Sequence, residues 1–472
     1  MQYDLLLKGG LLVDPARDLC TPMDVGIENG KVAETSPSIP VGRGRNVLDV
    51  TGKMVMPGLI DTHVHVSGLL GGSRGYRMLA RAGVTTALDC AGPVEDVAAS
   101  MADNGSGINV AVLNAVRPGY TVSGESPPES EIADVVSRAI DSGAFGTKLM
   151  GGHYPLTPEA TAGFIAESNR SRCYVAFHAG TTANGSNFDG FKEAIALCGG
   201  NSMHLAHINA YCRGLTTGDP VAETLAALAA LERAPGIISE FHLATVNGTS
   251  GRCVDGVPES HITRTCLRSG GFEATRDGLM KAFLAGYAHV TADGPDGSNV
   301  LLKGEEGLRY WRVNSEDSTV GFPVNNRSTA FLCAAGRKAG GEFTINALST
   351  DGGGIPRNFL LRYGLLLVEF GLWTLPEFVS RASYMPSRML GLPGKGHLSP
   401  GADADVTVAG VETRTAHLAI AGGRVVMAGG VVTGGGGTII CNRRGLAALS
   451  KDGIPCAAAD MDKSLLYCEA GE

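Results

Sequence analysis

Eight apolar runs punctuate the middle of the chain: GLIDTHVHV, TTALDC, INVAVLNAV, AFGTKLM, CYVAFHA, MHLAHIN, IISEFHLAT and FTINALSTD. Helical stretches separate most of them. A strand covered by helices on both faces has no polar side, so continuous apolar runs alternating with helices predict parallel βα units. Eight units predict a (β/α)8 TIM barrel, placed at residues 55–395. The segment 295–345 is longer than a βα connection needs and reads as an insertion over the barrel mouth.

The two ends have a different texture. Residues 1–54 carry short strand patterns with Gly-Gly and Asn-Gly punctuation, in YDLLLKGGLLVD, DVGIENGKVAE and NVLDVTGKMVMPG. Residues 396–440 repeat it in LSPGADADVTVAG, HLAIAGGRVVMAGG and VVTGGGGTII. Neither end has enough strands for a core of its own, so both are expected to build one small β-sandwich domain. Residues 441–472 form a tail to which the pattern assigns no role.

Composition narrows the class. The 472 residues are 44% hydrophobic and 18% charged, a globular balance, and a net charge of -8 disfavours nucleic acid or an anionic membrane as partner. The 11 cysteines include no Cys-x-x-Cys pair, which fits reduced thiols in a cytoplasm. Asp4 and Lys8 interrupt the first apolar stretch, so no signal peptide is expected there, and no uncharged run has the length of a membrane span. The expected partner is a small-molecule substrate, and the expected assembly a homo-oligomer.

Candidate chemistry sits at the ends of the apolar runs. In Asp61-Thr62-His63-Val64-His65 the two histidines are two apart, so on a strand both imidazoles face one side and can share an ion. His178 ends YVAFH, His207 ends HLAH, Lys148 ends AFGTK and Asp351 ends INALSTD. Active sites of such barrels lie at the C-terminal ends of the strands. A series of histidines at those positions is poorly explained by packing alone and points to metal-assisted hydrolysis.

These segments resemble the amidohydrolase superfamily. KMVMPGLIDTHVHVSG is similar to its first-strand signature, LSPGADADVTV to its return to the small β-domain, and LSTDGGGIPRNF to the loop carrying its eighth-strand aspartate. The resemblance places Asp351, ahead of Asp293 in HVTADGPDG, as the catalytic aspartate. It implies a hydrolase of non-peptide C–N bonds with two divalent ions, zinc or else manganese, held by His63, His65, Lys148, His178, His207 and Asp351.

Lys148 matches the lysine that becomes a carbamate in dihydropyrimidinases, hydantoinases and dihydroorotases. GAFGTKLMGGHYPLTPEAT also resembles N-acyl-D-amino-acid deacylases, in which a second-strand cysteine is a ligand, and Cys90 lies near that place. The bridge between the ions therefore falls to Lys148 or Cys90. Charge favours Lys148, because four neutral imidazoles offset none of the ions' charge while a carbamate replaces a cation with an anion. Asp351 would carry the proton, and His153 or Tyr154 would donate to the oxyanion. The implied substrate is a cyclic amide of hydantoin, dihydropyrimidine or lactam type, with an N-acyl-D-amino acid as the alternative. A deaminase or a non-catalytic dihydropyrimidinase-like scaffold fits the intact ligand set less well.

Arg213, Arg252, Arg327 and Arg357 fall in predicted mouth segments. Of these, Arg357 and Arg213 are candidates to clamp a substrate carboxylate. His204 is expected to support the site from the strand start, and His242 to reach the mouth or pack in the core. Gly71-Gly72-Ser73-Arg74-Gly75 matches the serine-hydrolase pattern Gly-x-Ser-x-Gly but follows a loop, so it is set aside.

Overall fold

The computed structural model describes residues 2–68 and 72–468. Gly71 of the Gly-x-Ser-x-Gly match lies outside the described residues, as does the end of the tail. The eight barrel strands are Leu59–His65, Val84–Asp89, Ser106–Val116, Gly146–Met150, Tyr174–His178, Met203–Leu205, Ile237–His242 and Ala347–Ser349. They follow one another around the sheet in chain order, all parallel. Helices cover the outside through apolar stripes. In Glu129–Asp141 the buried residues Ile132, Val136, Ala139 and Ile140 fall on one face.

The last strand closes the barrel in two pieces. Ala347–Ser349 pairs with the seventh strand, and Gly352–Gly353 pairs with the first, Gly352 opposite Val64 and Gly353 opposite His65. Thr350 and Asp351 bridge the pieces, Asp351 in a left-handed conformation at φ 50°. Gly353 is needed here, since a Cβ on it would come 2.4 Å from the His65 carbonyl oxygen.

Strands from both chain ends share one nine-stranded sheet. Its junction is the antiparallel pair Met54–Pro57 and Val406–Gly410, with Val55 opposite Val408. Leu5, Leu7, Val25, Ile27, Val406 and Ile420 are among the side chains of its core.

Gly436–Cys441 does not enter that sheet, although its sequence reads like the strands that do. It pairs in parallel with the third barrel strand, Ile439 opposite Val110 and Ile440 opposite Ala111. The third strand is long, and the fourth covers only Leu113–Val116 of it, so its first half has an open edge for another strand to fill. The tail continues beneath the barrel, where Met461 and Leu466 pack with Phe145, Tyr174, Met389 and Leu390. Ser464 Oγ donates to the Met389 carbonyl at 2.6 Å, and Tyr467 OH to the Cys173 carbonyl at 2.5 Å.

The insertion between the seventh and eighth strands begins well before residue 295. It contains a four-stranded sheet of Thr249–Ser250, Thr319–Gly321, His289–Asp293 and Asn299–Leu302, with helices His261–Ser269, Arg276–Leu284 and Gly304–Val313. Leu279, Phe283, Val290, Trp311 and Phe322 form a core of its own. Its early part escapes notice because short strands and amphipathic helices look like further βα units. Asp293 lies at an exposed strand end here, 3.1 Å from Arg74 Nη2. No helix among the described residues is long and apolar enough to cross a membrane.

Candidate metal centre

Seven of the eleven histidines, His63, His65, His153, His178, His207, His242 and His261, line one cavity of about 220 Å³. It opens at the C-terminal ends of the strands, and Lys148, Asp351, Arg213 and Arg357 share its wall. Imidazoles gathered at this density cannot all be satisfied by one another. Nδ1 of His65, His207 and His242 and Nζ of Lys148 are buried without a hydrogen-bond partner. Buried polar atoms left bare cost free energy, so a converging set of them marks a place for a ligand.

His63 lies within a bulge between Asp61 and Val64, a device that re-aims side chains, and His65 lies just beyond it, at the end of the first strand. Their rings lie 5.4 Å apart. His65 Nε2 is 2.9 Å and His63 Nε2 3.6 Å from Asp351 Oδ1. One ligand atom from each of His63, His65 and Asp351 falls within 4.8 Å of the others. His178 and His207 form a second pair, with His178 Nδ1 3.2 Å from His207 Nε2. The His207 ring also stacks on His63 at 5.2 Å. Gly152 makes room for this pair, because a Cβ there would sit 2.1 Å from His178 Nε2.

Charge around the cluster is set by burial. Burial first, and the neighbouring Lys148 charge or other imidazoles next, hold His63, His178 and His207 well below the ordinary histidine value. Burial likewise lowers His153 and His242 to about 4. These rings are neutral near pH 7, the form that coordinates metal. Burial alone would raise Asp351, but Arg357 and the two first-strand imidazoles outweigh it and keep its carboxyl well below the usual range.

Arg357 departs from its expected role. Its Nη2 is 2.5 Å from Asp351 Oδ2, its Nε donates to the Asp351 carbonyl, and its Nη1 donates to the Val246 carbonyl at 2.7 Å. All three guanidinium nitrogens are engaged, so Arg357 orients Asp351 and is not free to clamp a substrate. Arg213 is better placed for that: it faces the cavity, steadied through Nε and Nη2 by Asn325 Oδ1 at 3.1 and 2.8 Å. Tyr154 also departs. It packs edge-on to Tyr120 and beside Arg117, outside the residues lining the cavity, while His153 lines it and stands 5.6 Å from the His178 ring. The two share one tight turn, both amides donating to the Met150 carbonyl, and adjacent residues in a turn point apart.

Cys90 lies in the apolar cluster under the site with its thiol near the Leu88 carbonyl, and burial pushes its pKa upward. Lys148 reaches the cavity wall and Cys90 does not. His204 supports the site from below, 3.1 Å from Tyr174 OH and 3.8 Å from Glu240 Oε1. Arg252 pairs with Glu259 on the surface, and Arg327 faces a different cavity.

Two important residues were not legible as such. Glu240 is fully buried on the seventh strand. Its Oε1 accepts from His63 Nδ1 at 2.8 Å and from the His207 amide at 2.7 Å, and its Oε2 accepts from Ser349 Oγ. It fixes the His63 tautomer and ties three strands together. Asp61 accepts from Thr350 Oγ1 at 2.5 Å and from the Thr350 and His63 amides at 3.2 Å, pinning the turn before Asp351. Burial raises its pKa to about 7, against the pull of those hydrogen bonds. The signal for Glu240 was a lone acid inside the apolar run IISEFH.

A family model for the amidohydrolase family matches residues 54–434. The chain belongs to that family. It is a hydrolase of non-peptide C–N bonds. Dihydroorotase of Pelotomaculum thermopropionicum is 24% identical over 442 residues, covering 86% of this chain and 88% of its own. Among solved amidohydrolase structures, N-acyl-D-glutamate deacylase from Bordetella bronchiseptica, complexed with zinc and a phosphonate inhibitor, superposes with a TM-score of 0.68 at 17% identity, covering 93% of this chain and 99% of that one. D-hydantoinase gives a TM-score of 0.62 at 14% identity over 93% and 99% of the two chains.

Proposed function

We propose that this amidohydrolase is a cytoplasmic homo-oligomer that opens a cyclic amide of hydantoin, dihydropyrimidine or lactam type with two divalent ions, most simply zinc. The observation that carries the reading is the convergence of His63, His65 and Asp351 with a buried, unpartnered Lys148 amine on the same cavity. The catalytic barrel spans 55–395 with Gly436–Cys441 added to its third strand, and the small β-domain spans 1–54 with 396–435.

In this reading His63, His65, His178, His207 and Asp351 would hold the ions, and Lys148, as a carbamate, would add an anionic ligand. Addition of carbon dioxide to the neutral Lys148 amine, with loss of one proton from its nitrogen, would turn a neutral group into an anion and offset the charge of the ions. Ions held by these residues would supply Lewis acidity, lowering the pKa of the attacking water and polarising the scissile carbonyl. Asp351, steadied by Arg357, takes the proton of the attacking water and passes it to the leaving nitrogen. His153, a neutral imidazole, donates its N–H to the developing oxyanion, and Arg213 holds a carboxylate of the substrate.

The deacylase reading stays in contention on one observation, the higher TM-score to the N-acyl-D-glutamate deacylase than to D-hydantoinase. Metal analysis, followed by assay of hydantoins, dihydropyrimidines, lactams and N-acyl-D-amino acids with zinc and manganese forms, separates the two. Ring opening of one cyclic amide supports the proposal. Turnover of N-acyl-D-amino acids alone overturns the cyclic-amide assignment, and a chain that holds no metal overturns the mechanism.

A further inference from the structure

A second cavity, of about 390 Å³, lies behind the segment that carries Arg357. Leu243, Val246, Phe331, Phe359, Tyr363 and Leu366 line it, between helices Arg327–Ala335 and Leu360–Glu369. The walls are apolar and aromatic, the Phe359 and Tyr363 rings standing 4.8 Å apart. Two cations border it and no acidic residue does. One of them, Arg357, is already neutralised by Asp351. The guanidinium of the other, Arg327, makes no hydrogen bond or ion pair with any described residue. It stands in the first turn of its helix, where the backbone dipole adds positive potential.

An apolar slot of drug-like size with one uncommitted guanidinium selects for a ligand with a flat hydrophobic body and a single negative charge. We propose that this cavity is a binding site for a small aromatic monocarboxylic acid, its ring seated among Phe331, Phe359 and Tyr363 and its carboxylate on Arg327. The site is separate from the metal centre and shares with it only the Arg357 wall.

The test is calorimetric titration of the metal-loaded full chain with 3-phenylpropionate and with its neutral isostere 3-phenylpropanamide. The acid is expected to bind more tightly than the amide. Arg327→Gln, at an exposed position, is expected to weaken the acid by about tenfold, the effect of one lost charge-assisted pair, and to leave the amide unchanged. Leu366→Trp, which fills the slot from a partly exposed helix position, is expected to abolish binding of both, with circular dichroism and basal turnover retained. Should Leu366→Trp fail to fold, Arg327→Gln alone decides. Equal affinity of acid and amide, or absence of binding, overturns the proposal. So does acid binding that Arg327→Gln leaves intact and that a chelator removes, which would place the acid on the metal centre. Sedimentation velocity supplies a further check: a dimer of the wild type that either variant dissociates would assign the cavity to a second copy of the chain and overturn the small-molecule site.

Discussion

The two ends of the barrel follow opposite rules. At the C-terminal end, imidazoles, an amine and a carboxylate crowd a cavity with several of their polar atoms unsatisfied. At the N-terminal end, Phe145, Tyr174, Met389, Leu390, Met461 and Leu466 fill the space, and the hydroxyls of Ser464 and Tyr467 find backbone carbonyls. One end keeps bare the groups that chemistry needs, and the other removes water and supplies stability to hold them. Substitutions at the two ends should therefore separate activity from stability.

The largest effects belong to the upper end. Asp351→Asn should lower kcat by about two to four orders of magnitude with the chain still folded, at some cost in melting temperature, since Asn keeps a side-chain acceptor for Arg357 but not the charge that neutralises it. Steady-state kinetics with thermal unfolding checks both, and Asp293→Asn, on the insertion's surface, should leave kcat alone. Lys148→Ala should lose metal and activity together, with partial rescue by short carboxylic acids, as read by metal analysis and assay.

At the lower end, Leu466→Ala should cost about 2–5 kcal/mol in urea unfolding, the range for a buried leucine, with the specific activity of the folded fraction retained. A large fall in kcat without loss of stability would break the division between the ends.

Acid should also act through the upper end. His153 and His242 have an ordinary value of 6.5 and sit near 4 in the folded chain. The unfolded chain therefore takes up protons first, so stability is complete above about pH 6.5 and declines as pH falls toward 4, by about 1.4 kcal/mol per pH unit for each ring. Urea unfolding of the chelator-treated chain across that range checks the slope, and His242→Gln should reduce it by one ring's share. The smallest effect is expected of Cys90→Ala: metal and turnover kept, at about 1 kcal/mol for a small core truncation. If Cys90→Ala instead abolished metal binding, the bridge would pass to Cys90.

Legibility in the sequence followed the same division. The eight strands stand out because parallel strands buried on both faces are continuously apolar, and their histidine-bearing ends stand out because charge or polarity there has no packing reason. What stayed hidden depends on direction and distance. Tyr154 and His153 are adjacent, and only the turn at Met150 decides which ring enters the cavity. Arg357 lies near Asp351 in sequence, but that its guanidinium turns back on Asp351 follows from the Val246 carbonyl, supplied by a segment more than a hundred residues earlier. The tail touches the barrel floor at intermittent points such as Met461 and Leu466, which leaves no period to read.

The split eighth strand also places Asp351 on the seam where the sheet meets itself. As the chain emerges from the ribosome, His63, His65, Lys148, His178 and His207 are all made before the insertion, and Asp351 only after it. On the proposed assignment, a truncated product ending ahead of residue 347 would own every imidazole proposed as a ligand and neither a closed wall nor the proposed proton carrier. It could sequester metal without hydrolysing anything. Turnover thus certifies that synthesis ran past the seam, whereas metal content alone does not.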